Sequence, residues 1–328
     1  VNTVNPALAE SLPLVGGAFA WANRNANVRM RSEQLDRYAA QLDTPATAES
    51  SAGCRMTLSQ AYFDGDWLRL SVLLTAEDGS LAGFDEIMPM RPEQRADPNV
   101  WPDDREGYGD LVLADGSLLG PEGSLAFTRQ DEKTFVLQLN YPVFLQPDPA
   151  ALAGQQLTLV LRDLVGYNLE NLVTDYDEYG VGGARWEIAN ETDLPGVYTM
   201  TFTVPAPDEA GVRTAAGTDA ATGITVEELR ATPAATKLVV TVPNTPVGEI
   251  DPEHITPLRN TEFRLRTADG RPLKPERAEG APTDETGAAY RYTAYFDAAP
   301  EDADAIEVLV LQDGEEYASL TLPLTSAR

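Results

Sequence analysis

Residues 55–75, RMTLSQAYFDGDWLRLSVLLT, alternate apolar and polar positions on both sides of FDGD. That pattern predicts a β-hairpin. Further strand-like runs stand at DLVLADG, KTFVLQLNYPVF, QQLTLVLRDL, ARWEIAN and VYTMTFTVP, each bounded by Gly, Pro, Asp or Asn turn residues. Many short strands with turn punctuation predict a mainly β protein of sandwich type.

The N-terminal stretch differs. In NPALAESLPLVGGAFAW, Leu14, Val15, Ala18, Phe19 and Ala22 follow helical spacing, with Ser11 as a cap and Pro13 in the first turn. In SEQLDRYAAQL, Leu35, Tyr38, Ala39 and Leu42 share one helical face. The apolar run LPLVGGAFAWA falls far short of the roughly 20 residues that cross a bilayer. It has no basic region before it, so it is not a whole signal peptide.

From about Pro205 to Gly223 the chain is small, polar and non-periodic, which predicts a linker. The strand pattern then begins again. GITVEELRATPAATKLVVTVP matches the first hairpin in strand length and turn placement, and LVLADGSLLGPEG recurs as FRLRTADGRPLKPERAEG. KTFVLQLNYP is echoed by AAYRYTAYFD, LTLVLRD by IEVLVLQD, and ARWEIAN by YASLTLPL. Five elements repeating in order predict two copies of one module. The expectation is therefore two tandem immunoglobulin-like β-sandwiches with a short N-terminal helical segment. Its boundaries are 1–45 for the helical segment packing on the first domain, 46–207 for that domain, 208–223 for the linker and 224–328 for the second. The first copy carries insertions at about 82–108 and 165–183.

A formal charge of −28 over 328 residues repels nucleic acid and anionic head groups, so neither nucleic-acid binding nor direct membrane binding by this segment is expected. Cys54 is the one cysteine and His254 the one histidine, which removes an intrachain disulfide and any Cys/His zinc site. Cys54 opens a strand and reads as a small buried apolar residue, and His254 sits in the Pro-flanked loop DPEHITP. No G-x-S-x-G elbow or phosphate-binding loop is present, and with 52 carboxylates no pair stands out as a glycosidase dyad. No catalytic residue and no cofactor is expected.

Both insertions are acidic and aromatic. The second, NLENLVTDYDEYGVGG, offers Asp175, Asp177 and Glu178 as calcium candidates, although Tyr179 stands where a calcium loop would place a ligand. Trp101, Tyr108, Tyr176 and Tyr179 fall in or beside the insertions rather than on strand alternation. They form the candidate ligand-contact surface.

The order NPALAESLPLVGGAF, a hairpin of the RMTLSQAYFDGDWLRLSVLL type, then strands ending near ARWEI resembles the extracellular domains of Gram-positive anti-sigma-factor-like membrane proteins. The matching positions are Asn5, Pro6, Ala9, Pro13, Gly16 and Phe19. Those proteins carry a short cytoplasmic region and one transmembrane helix before such a module, and a second sandwich often follows it. The resemblance implies a sensor or interaction ectodomain on the extracellular face of the membrane, anchored by an upstream helix. Its partners would be an extracellular ligand or cell-wall component outside and a sigma factor inside. The other reading is a secreted or surface-tethered structural, adhesion or carbohydrate-binding module.

Overall fold

Side-chain alternation decides the architecture. Leu68, Leu70, Val72 and Leu74 point to one face of their strand, and Phe135, Leu137, Leu139 and Tyr141 to the same face of a neighbour, all within one apolar core. A computed structural model of the protein describes residues 35–50, 53–89, 108–121, 126–176, 182–207, 209–243, 260–285 and 287–326. The chain is mainly β and divides into two units, one ending at Pro207 and the next beginning at Asp208.

The first unit holds β1 (Ala40–Pro45), β2 (Thr47–Ser50), β3 (Arg55–Phe63), β4 (Trp67–Thr75), β5 (Glu86–Pro89) and β6 (Tyr108–Val112). It continues with β7 (Leu118–Leu119), β8 (Phe127–Arg129), β9 (Thr134–Pro142), β10 (Gln156–Tyr176) and β11 (Gly182–Thr203). They form one antiparallel sheet in the order β1-β3-β4-β9-β8-β5-β10-β11-β2, with β6 pairing β10 and β7.

The second unit holds β12 (Arg213–Thr218), β13 (Thr225–Ala231), β14 (Ala235–Pro243), β15 (Thr261–Thr267) and β16 (Pro272–Leu273). After them come β17 (Pro275–Pro282), β18 (Ala289–Asp297), β19 (Ala305–Gln312), β20 (Glu315–Pro323) and β21 (Thr325–Ser326). Two sheets result, β17-β18-β14-β13-β12-β21 and β16-β15-β19-β20. One core takes Val226, Leu238 and Val240 from the first sheet and Leu265, Val308 and Leu320 from the second. A helical turn, α1 (Leu35–Tyr38), belongs to this unit, with Leu35 buried.

Setting aside β2, β5 and β21, nine strands remain in each unit, eleven less two and ten less one, in the same chain order. Their pairings correspond one for one. β1-β3-β4-β9-β8 matches β12-β13-β14-β18-β17, and β7-β6-β10-β11 matches β16-β15-β19-β20. The match reaches single residues. Ser59 is the extra residue of a bulge in β3, between Leu58↔Val72 and Gln60↔Ser71; Glu227 is its counterpart in β13, between Val226↔Val240 and Glu228↔Val239.

Each unit also adds a strand that changes partners at one corner. After pairing β3, the first chain segment turns at Ala46 and its next strand, β2, pairs β11 at Gly196–Thr199. In the second unit it is the last segment that continues, as β21, to pair β12 at Arg213 and Thr214.

Three expectations are corrected. The helix predicted over Leu35–Leu42 stops at Tyr38, because Ala40–Pro45 pair with Thr57–Ala61 and that ladder overrides the local period. Residues 213–218, within the stretch expected to be a linker, are strand β12. The 165–183 insertion extends a hairpin: β10 and β11 pair from Gln156↔Thr203 to Tyr176↔Gly182, with register shifts after Arg162, Asn168 and Leu169. The topological counterpart of YASLTLPL is consequently the proximal part of β11, Val197–Thr203, and not ARWEIAN. The helix expected around residues 14–22 lies outside the described residues.

Candidate functional site

The residues singled out in the sequence do not converge. Tyr108 opens β6 opposite Leu161, whereas Tyr176 ends β10 opposite Gly182. Those places are fifteen residues apart on β10 (176 − 161), about 50 Å of extended chain, so β10 holds them far from one another. Asp175 stands opposite Gly183 in the same hairpin. Trp101, Asp177, Glu178, Tyr179 and His254 lie outside the described residues. Among the described residues no three Asp, Glu, His or Cys side chains come together to hold a metal ion.

Cys54 is half-buried against the first core. Burial pushes its thiol pKa up, the Asp78 carboxylate adds to this, and a hydrogen bond with Ser80 opposes it.

The structure assembles a polar group that the sequence did not announce. On the face of β3 and β4 that points away from the core, Tyr62 stands opposite Arg69 and Gln60 opposite Ser71, and on β9 Gln138 continues the second row. This face is buried: Gln60 is 1% exposed, Arg69 2% and Ser71 0%. The Ser59 hydroxyl donates to the Ser71 carbonyl at 2.9 Å. The Gln60 amide, nitrogen and oxygen alike, meets no hydrogen-bonding partner, nor does the Ser71 hydroxyl. A donor, an acceptor and a hydroxyl lie side by side there, the complement that an amide group would match. Leaving them unmatched costs about 1–3 kcal/mol per group.

In the second unit two arginines, Arg213 and Arg37, meet the segment 299–303. Arg213 at the start of β12 donates to four carbonyls there, those of Ala299 (3.1 Å), Pro300 (2.9 Å), Glu301 (3.0 Å) and Ala303 (2.8 Å). The Glu301 carboxylate accepts from Arg37 Nη1 on both oxygens at 2.7 Å and from the Tyr38 hydroxyl at 3.1 Å. The Arg37–Glu301 pair pushes the guanidinium pKa up, while burial, more than Glu301, raises that of Tyr38. Glycine at 211 leaves room for Tyr38, since a Cβ there would come within 2.9 Å of its ring and 2.6 Å of Pro233. The cluster fastens α1 to the second unit; exposed on the Arg37 side, its ion pair contributes little by itself.

Tyr141 is buried and Glu86 half-buried. The Tyr141 hydroxyl donates to the Gly109 carbonyl, and burial, with the charge of Asp110, holds its pKa far above the phenol value. Glu86 on β5 is pushed up by burial and by neighbouring Asp85.

No family model matches the chain, and no curated protein does. A solved structure described as "the conserved domain protein from Bacillus anthracis" is similar over 96% of this chain and 100% of its own length, at 13% identity and a TM-score of 0.47. Among the described residues no helix is long and apolar enough to cross a membrane, which says nothing of strands.

Proposed function

We propose that the protein is a non-catalytic interaction module, the extracytoplasmic sensor region of a membrane-anchored, anti-sigma-factor-like regulator. The observation that carries this reading is the duplicated strand order, nine strands paired the same way in each unit. Within each unit the strands hold edges and loops in place, where they can meet partners. The finer fold assignment belongs to the same proposal: each unit is an immunoglobulin-like sandwich, the first joined into one sheet by β5, which pairs both β8 and β10. Ligand binding outside would bias one arrangement of the module, and the membrane helix would pass that bias to a cytoplasmic sigma factor.

The test is mass spectrometry of the native chain from fractionated cells, followed by capture of its cytoplasmic partner. A membrane-fraction chain with a hydrophobic helix and a sigma-binding segment ahead of Val1 is the expected result. A processed chain in the culture fluid would overturn the reading in favour of a secreted adhesion or carbohydrate-binding protein.

A further inference from the structure

The two units solve one problem differently. A strand at the end of a sheet presents a row of unpaired backbone groups, and proteins cover or blunt such rows. In the first unit that strand is β11, and β2 covers it: Thr47↔Thr199, Ala48↔Tyr198, Glu49↔Val197 and Ser50↔Gly196. Its counterpart in the second unit is β20. The equivalence is residue by residue, because Leu161↔Tyr198, Leu159↔Met200 and Leu157↔Phe202 correspond to Val310↔Ala318, Val308↔Leu320 and Ile306↔Leu322. By that alignment the four residues covered in β11 correspond to Glu316, Tyr317, Ala318 and Ser319. Among the described residues β20 pairs β19 alone, and no strand lies on its other edge.

We propose that the free edge of β20 at Glu316–Ser319 is a strand-addition site for an extended, basic segment of another protein. Three observations support it. First, the bulge at Tyr317 does not close the edge, since β11 has the same kind of irregularity beside Val197 and still carries β2. Second, no proline interrupts β20 before Pro323, and its apolar residues Ala318, Leu320 and Leu322 point into the core, so the edge is held in place. The close approach of β12 lies further along, where a Cβ on Gly217 would meet Leu322.

Third, charge selects the occupant. Exposed Glu315 and Glu316 open the strand, so a lysine or arginine at the end of an added strand meets two carboxylates. A second copy of this chain carries a net charge of −28 of its own and is disfavoured by overall repulsion. Backbone pairing supplies the affinity and the two glutamates the preference. The proposal concerns this edge alone and does not depend on where the cell holds the chain.

The experiment is amide hydrogen exchange on the whole protein with synthetic peptide KTVTVK, its acidic counterpart ETVTVE, and a KTVTVK peptide N-methylated through its four central residues. KTVTVK at about 1 mM is expected to slow exchange within Glu316–Ser319. The effect should be absent with the N-methylated peptide and weaker with ETVTVE. In Glu315→Lys/Glu316→Lys, affinity for KTVTVK should fall about tenfold and the preference between the peptides reverse. No protection at 316–319 from KTVTVK, or equal binding of the N-methylated peptide, would overturn the proposal. So would concentration-dependent self-association that protects 316–319 without peptide, since the occupant would then be a second copy.

Discussion

Gly116 and Gly270 occupy the same turn of the two units. Their φ values are +82° and +89°, and their amides donate to the carbonyls three residues back, Leu113 at 2.9 Å and Thr267 at 2.8 Å. A Cβ at either place would touch nothing within 4 Å, so only the left-handed backbone demands glycine. Gly116→Ala and Gly270→Ala should therefore each cost about 1 kcal/mol. Chemical denaturation followed by exchange in each unit should show Gly116→Ala acting on the first and Gly270→Ala on the second; equal effects on both units would contradict two separately closed modules.

Gly166 needs its small side chain for a different reason. A Cβ there would come within 2.6–2.7 Å of the Phe84 ring, which the loop ahead of β5 presses onto β10. Gly166→Ala should cost about 1–3 kcal/mol through overpacking, and Phe84→Leu in the same chain should recover part of it. Additive losses in thermal melts would show that the two positions do not press on one another.

Gln60 is buried with both amide atoms unmatched, so the apolar replacement Gln60→Met removes a desolvation penalty and little else. The expected outcome is unchanged or raised stability, by about 1 kcal/mol. A urea midpoint lowered by Gln60→Met would mean that the amide is satisfied in solution, by water or by a bound group.

Arg213 fixes four carbonyls with one planar fork, a geometry lysine cannot copy. Arg213→Lys should therefore fail to rescue Arg213→Ala, and both should lose about 2 kcal/mol in the second unit. Faster amide exchange through 299–304 would accompany the loss, and a Lys variant that behaves as wild type would refute the fork argument.

Glu307 and Glu227 in the second unit and Glu86 in the first predict contributions of opposite sign to the pH dependence of stability. Glu307 is held below its ordinary pKa by Arg266 and then Ser319, and Glu227 by Thr241 and then Arg291. A depressed folded pKa favours the fold above the unfolded value of about 4.3, and that contribution is lost as pH falls through the folded pKa. The second unit should thus weaken on acidification, and Glu307→Gln should flatten the slope. Glu86 is shifted up by burial, so its ionisation opposes folding at neutral pH and stops doing so once the pH falls below the unfolded value. Glu86→Gln should stabilise the first unit at pH 7 and lose that advantage near pH 4. Urea midpoints measured from pH 3 to 7 decide both signs.

Much of the strand content could be read from one dimension. Strands β3, β4, β9, β13, β14 and β19 announce themselves because side chains two apart share a face, and a core on one side leaves that period in the sequence. The repeated Asp-Gly turns were legible for the same reason, since a left-handed residue favours glycine wherever the chain runs. The net charge likewise follows from counting residues alone.

What the sequence did not contain was the identity of each strand's neighbours. Residues 213–218 are small and polar enough to pass for a linker, and they are a strand only because β13 and β21 lie beside them. Ala40–Pro45 carry a helical apolar period and pair with β3 instead. Gln60 and Ser71 read as ordinary outward-facing positions, and their burial side by side follows from strand register. Among the described residues, the covered edge of β11 and the open edge of β20 differ through partners brought from elsewhere in the chain. Period and turn chemistry are local, and one chain segment is enough to set them. Pairing, burial and edge exposure depend on which distant segments meet, and that is settled only when the sheets close on their cores.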